Sequence, residues 1–238
     1  MLIEALRLAR DTLYPRRCVH CGAFDGFLCG PCAELLRPKS DVRRCAFCSA
    51  PWEADSNCIR CQEWWRELDG CLAFAPMEGP ARSLVHALKY RLLREVAPLM
   101  AERLRHMPDV PPFDAVFPVP LHRSRQRKRG FNQAEELLRY LDWPRPGGTL
   151  RRVRKTSSQV GRGFGDRQRN VSGAFTYDGR RLDGVRVALL DDVVTTGATA
   201  IECARVLRDA GARGVVVLAF ARAAYQPDGR PDRIFDDD

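Results

Sequence analysis

Nowhere in the 238 residues is there a run of the ~18 consecutive apolar positions that a membrane-spanning helix needs, so insertion into a bilayer is not expected. The first residues also lack the unbroken apolar core of a secretory signal, because Glu4, Arg7, Arg10 and Asp11 interrupt it. They read as a short amphipathic helix with Leu2, Leu6, Ala9 and Leu13 on one face. A cytoplasmic location is the expectation, where thiols stay reduced. Lysine is scarce, at four of 39 basic residues. The positive charge therefore rests on arginine, which forks onto phosphates as lysine cannot. Between residues 18 and 61 long apolar runs are few, so an ordinary hydrophobic core can hardly hold that segment together.

What the chain does have is charge concentrated in one place. Between Leu121 and Arg169 stand 14 Lys/Arg against four acids, while the remainder carries 25 basic against 26 acidic residues. Almost all of the formal net charge of +9 thus lies in one stretch. Dispersed charge would be an ordinary solvated face. Confined charge points to a polyanion: a diphosphate or a nucleic acid.

Eight of the ten cysteines form four C-x-x-C pairs: Cys18/Cys21, Cys29/Cys32, Cys45/Cys48 and Cys58/Cys61. Two thiolates so spaced reach one ion from a single knuckle, and two pairs complete a tetrahedral site. Four pairs predict two structural zinc ions, which would replace the missing core. Sequential pairing is expected, although a crossed arrangement satisfies the same spacings. Cys29-Gly-Pro-Cys32 equals the thioredoxin redox tetrapeptide, but it sits among knuckles and not in a thioredoxin-like context. His20 is read as a bystander, and Cys71 and Cys203 as small buried hydrophobes.

The most specific stretch is Val187-Ala-Leu-Leu-Asp-Asp-Val-Val-Thr-Thr-Gly-Ala-Thr199. Val187 to Leu190 predict a strand buried on both faces, and residues 198–210 a helix with Ala198, Ile201, Ala204 and Val206 or Leu207 at helical spacing. Between them the hydroxyls of Thr195, Thr196 and Thr199 surround Gly197. A strand, a small-residue turn and a helix N-terminus form an anion site. Asp191 and Asp192 are acceptors suited to a sugar diol or a metal-bound water.

Elsewhere the patterns predict a strand at 71–75, helices at 80–90 and 94–106, and a strand at 114–119 ending in Pro118-Val119-Pro120. A basic loop at 121–133, a helix at 132–141, a polar basic loop at 154–171, and strands at 174–176 and 215–220 complete the reading. Residues 227–238 form an acidic tail. The boundaries expected are a helix and zinc module at 1–66, a main domain at 67–226, and the tail.

The stretch from Val187 to Thr199 resembles the phosphoribosyl-diphosphate motif of type I phosphoribosyltransferases. The whole set resembles the ComF family of competence-associated, GntX-like proteins: the cysteine knuckles, His86-Ala-Leu-Lys-Tyr90, Pro118-Val-Pro120, Arg129-Gly-Phe-Asn-Gln133, Thr156-x-x-Gln159, Arg169-Asn-Val171 and Asp191-Asp192. The resemblance implies an α/β fold. It comprises a type I phosphoribosyltransferase core, a mostly parallel sheet flanked by helices, with a small N-terminal double zinc ribbon. It implies that Asp191 and Asp192 grip the ribose hydroxyls and that Thr195, Thr196, Gly197, Ala198 and Thr199 cradle the 5′-phosphate. Pro118, Val119 and Pro120 would form the diphosphate turn. Lys89, Arg129 and Arg169 would meet the leaving group, with magnesium as counter-ion. It also implies a place in natural transformation, with single-stranded DNA and DNA-uptake proteins as partners. Val160-Gly-Arg-Gly-Phe-Gly165 departs from the pattern by lacking an expected leucine. No residue reads as a general base, and no motif names an acceptor base. Transferase and non-catalytic binder both fit.

Overall fold

In the computed structural model, which describes residues 15–36, 45, 67–154 and 171–223, the first elements are α1 (Gly30–Leu35) and β1 (Gly70–Pro76). Next come α2 (Gly79–Tyr90), a 3-10 turn (Arg94–Val96), α3 (Ala97–Arg105) and β2 (Ala115–Pro118). Then follow α4 (Arg123–Arg129), α5 (Gln133–Leu138) and two hairpin strands, β3 (Thr149–Arg152) and β4 (Phe175–Asp178). The last are β5 (Arg186–Val194), α6 (Ala198–Asp209) and β6 (Gly214–Arg222).

Four strands pair in the order β1-β6-β5-β2, and every pairing is parallel. The apolar run in β5 has no alternation because both of its faces are covered. Ala188 and Leu190 point into a core shared with Leu84, Val85 and Leu88 of α2 and with Met100 of α3. Val187 and Leu189 point the other way, onto Ile201, Cys203 and Leu207 of α6. β6 alternates in the same manner, with Val216 and Leu218 on one side and Val215 and Val217 on the other. Helices on both sides of a parallel sheet make this the expected α/β fold.

The knuckle segment is docked, not tethered. Leu36 is 2 % exposed and belongs to the α2 core, with Val19, Phe27 and Leu28 packed against it. Nδ1 of His20 lies 3.0 Å from Oγ of Ser83, in the first half of α2. Among the described residues no helix is long and apolar enough to cross a membrane.

Three local readings change. β5 continues past the two acids to Val194, because its pairing with β6 runs on through Val193↔Ala221 and Val194↔Arg222. The expected basic loop contains helix α4. His122 caps it, with Nδ1 accepting from the N–H of Ser124 at 3.2 Å, and Gly130 ends it at φ 75°. β3 was not expected; it pairs antiparallel with β4 through Leu150↔Tyr177 and Arg152↔Phe175. The loop expected at 154–171 lies outside the described residues from 155 to 170, as does the tail.

Candidate functional site

Asp191 and Asp192 stand where β5 emerges between β2 and β6. Pro118, the last residue of β2, pairs with Leu190, so the Pro118–Pro120 turn lies beside Asp191. Oδ1 of Asp191 accepts from the N–H of Asp192 at 2.8 Å. Asp191 keeps some solvent-facing surface but lies deep among the strand ends. That desolvation, and secondly the neighbouring Asp192 charge, holds its carboxyl well above the usual carboxylate range, with Lys89 pulling the other way. Asp192 is 4 % exposed.

Beyond the acids the chain turns sharply. Gly197 takes φ 76°, a left-handed conformation that strains any residue with a Cβ, and its carbonyl accepts from the N–H of Ile201 at 2.9 Å. It is the N-cap of the 12-residue α6, and no side chain caps that helix among the described residues. The first-turn N–H groups and the positive end of the helix dipole are therefore directed at the Thr195–Thr199 turn. Thr195 and Thr199 are half-buried, and Thr196 is buried.

Three segments quoted from the sequence converge on this strand end. Nζ of Lys89, in the last turn of α2, is 3.1 Å from Oδ2 of Asp192. The contact is an ion pair rather than an aligned hydrogen bond, since that oxygen meets no hydrogen-bond geometry among the described residues. Tyr90 lies between His86, with ring centroids 4.8 Å apart, and the Arg129 guanidinium, 5.5 Å from its ring centre. The N–H of Val119 donates to the carbonyl of Leu190 at 2.8 Å, and the side chain of Asn132 donates to the carbonyl of Val119 at 3.0 Å. A cavity of about 460 Å³ opens beside this turn, lined by Pro120, Leu121, His122 and Arg123 on one side and Arg151 and Arg152 on the other. That volume suits a small ligand.

Sequence reasoning missed two contributors. Arg152 of β3 lies 5.3 Å over the Phe175 ring. Burial first, then Arg125, push its guanidinium below the ordinary value, while the charge of Asp191 acts in the opposite sense. Glu202 of α6, 6 % exposed, accepts from the N–H of Gly173 at 2.6 Å and pairs with Arg205 at 3.2 Å. It ties the segment entering β4 to the helix that follows the Thr195–Thr199 turn. No local pattern marks their place in the site, because Arg152 meets Phe175, and Glu202 meets Gly173, only through long-range folding. A buried glutamate amid the apolar face of α6 was the one available signal. Arg169, Thr156 and Gln159 lie outside the described residues.

The sulfurs of Cys18, Cys21, Cys29 and Cys32 all lie within 4.8 Å of one another, with Cys21 and Cys29 3.5 Å apart. Four thiolates around zinc at ~2.3 Å would be separated by roughly 3.8 Å, so this cluster fits a tetrahedral zinc site. The first pair joins the second, as sequential pairing requires. His20 is turned to Ser83, and the redox-like tetrapeptide contributes two members of the cluster. Cys45 is buried, while Cys48, Cys58 and Cys61 lie outside the described residues.

Residues 9–62 match the family model of the double zinc ribbon domain. Competence protein F of Haemophilus influenzae is 30 % identical over 227 residues, covering 87 % of this chain and 97 % of its own. The chain belongs to the ComF family. A DNA utilization protein of Salmonella typhi is 32 % identical over 210 residues, covering 82 % of this chain and 90 % of its own. Orotate phosphoribosyltransferase of Mycobacterium tuberculosis, solved with phosphoribosyl diphosphate, is 20 % identical and covers 61 % of this chain and 78 % of its own, at a TM-score of 0.35. An overlap that low carries no argument. For this ComF member the α/β assignment rests on the parallel sheet and its flanking helices.

Proposed function

We propose that the carboxyl ends of β2 and β5 form a binding site for phosphoribosyl diphosphate, as ligand or as substrate of a phosphoribosyltransferase. Asp191 and Asp192 accept from the ribose hydroxyls. The Thr195–Thr199 turn and the N-terminus of α6 cradle the 5′-phosphate. The Pro118–Pro120 turn faces the diphosphate, with Arg129 and Arg169 adding positive charge. Magnesium would accompany the diphosphate and offset its charge. The observation that carries this reading is the order along one central strand: two acids, a threonine turn, a left-handed glycine and an uncapped helix start. Displacement at the ribose C1 needs positioning and charge stabilisation more than a covalent actor, which suits a site without an evident general base.

The test is calorimetry with phosphoribosyl diphosphate. Asp191→Asn combined with Asp192→Asn is expected to weaken binding at least about tenfold, the loss of two charge-assisted hydrogen bonds. Unchanged affinity overturns the reading. A screen of nucleobases for diphosphate release then separates a transferase from a sensor.

A second reading has its own observation. α4 carries five cations in seven residues, and none of the seven is buried. Such a helix suits the backbone of single-stranded DNA, and relatives named competence protein F and DNA utilization protein support a role in DNA uptake, while a phosphoribosyl-diphosphate site by itself equally serves nucleotide metabolism.

A further inference from the structure

Lys89 stands close enough to Asp192 to raise a question about its task. Both side chains are largely removed from water, 14 % and 5 % exposed, so solvent screens their 3.1 Å contact little. The lysine is held there by its helix. Leu88 and Val85 anchor the last turns of α2 in the core, and Tyr90, the next residue, is clasped between His86 and Arg129. Were the ammonium to leave for a ligand phosphate, the Asp192 carboxylate would remain buried without its counter-charge, which is strongly unfavourable.

We propose that Lys89 is a positioning residue for the phosphoribosyl-diphosphate site: it holds Asp192 as an oriented carboxylate so that two adjacent acceptors face the sugar diol. Lys89 thus serves the ribose end of the ligand through Asp192 and does not contact the leaving diphosphate. This rests on the function proposed above. Two acids adjacent in sequence, one of them buried, repel each other, and a fixed cation on one side relieves that repulsion. The charge of Asp191 also reaches Arg152 of β3 and the buried Cys203 thiol of α6, on which Glu202 acts as well. Burial and the Asp192 charge drive Asp191 toward protonation, and Lys89 opposes them.

The sign of the effect follows. Without the lysine charge, the Asp191 carboxyl holds its proton to higher pH, so ligand binding suffers most at low pH and recovers as pH rises. Two measurements on the full chain test this, with Lys89→Met removing the charge and Lys89→Arg restoring it. In the ligand-free protein, carbon-13 titration of the Asp191 carboxyl is expected to shift upward by about one unit or more in Lys89→Met and to return toward wild type in Lys89→Arg. No shift in a folded Lys89→Met overturns the proposal. In calorimetry with phosphoribosyl diphosphate from pH 6 to 8.5, Lys89→Met is expected to bind about tenfold more weakly than wild type at the acid end, for each unit of that shift. The deficit should narrow at the alkaline end, and comparison at equal pH cancels titration of the ligand. A deficit of constant size across the range marks a direct phosphate contact and sinks the proposal. Wild-type protein that fails to bind the ligand sinks the functional reading instead, while the carboxyl titration still decides the role of Lys89. If Lys89→Met does not fold, Lys89→Gln and the arginine variant carry the same comparison.

Discussion

Asn132 does two jobs that its place in a basic segment conceals. Its Oδ1 accepts from the N–H of Ala134 at 2.9 Å, capping α5, while its amide donates to the carbonyl of Val119, fixing the turn after β2. Losing the cap costs ~1 kcal/mol, and the stranded Val119 carbonyl adds ~1–3 kcal/mol. Asn132→Ala is therefore expected to lower the melting temperature by several degrees, at ~2–4 °C per kcal/mol for a chain of this size. Asn132→Ser keeps a capping oxygen but cannot reach Val119, so it should recover only the capping share. Equal melting of all three proteins would remove both roles. At this scale the sequence was most legible where partners are neighbours. Asp191, Asp192 and the threonines of the turn announced themselves because the two acids and the threonine turn are consecutive in the chain. Arg152 could not be found that way, since it reaches the charge of Asp191 only through the long-range pairing of β3 with β4. Lys89 was recognised as relevant, but its ion pair with Asp192 spans 103 positions and no periodicity encodes it.

The elements tell a similar story, with α4 as the clearest case. Arg123-Ser-Arg-Gln-Arg-Lys-Arg129 has no apolar stripe, so hydrophobic periodicity gives a loop. Arginine, lysine and glutamine are nevertheless good helix formers, and a cap at each end suffices for two turns. The strands of the main sheet were readable because they are apolar on both faces. β3 was not, as Thr149-Leu-Arg-Arg152 buries only Leu150 deeply. If α4 grips single-stranded DNA, affinity should fall steeply with salt, by a log–log slope of ~0.7 per phosphate neutralised. Replacing Arg123, Arg127 and Lys128 by glutamine is expected to flatten that slope by about two units. A slope untouched by the triple change would take the helix out of DNA contact.

On the scale of the whole molecule, the described first part of the zinc ribbon, residues 15–36, packs against the α/β core. Leu36 is buried in the core of α2, and His20 reaches Ser83. Burial of a leucine contributes ~1.5–3 kcal/mol, so a ribbon that loses its metal and comes away should lower the melting temperature by roughly 3–12 °C. Metal analysis of the untreated protein is expected to return about two zinc ions per chain. A chelated protein that releases zinc but melts unchanged would show that the ribbon is energetically separate. The double ribbon was legible as a metal module from cysteine spacing alone; its docking was not, because Val19, Phe27 and Leu36 are scattered apolar residues without a period.

β5 lies between β2 and β6, with a core on each face. As far as Leu190 its amides therefore have no edge from which to fray, and their hydrogen exchange should track global unfolding. An occupant gripping the end of that strand has to be released before the sheet can open. Occupancy then registers as heat resistance of the entire molecule. Compounds of any class can be sorted by melting shift alone, before the reaction, or even the existence of one, is known.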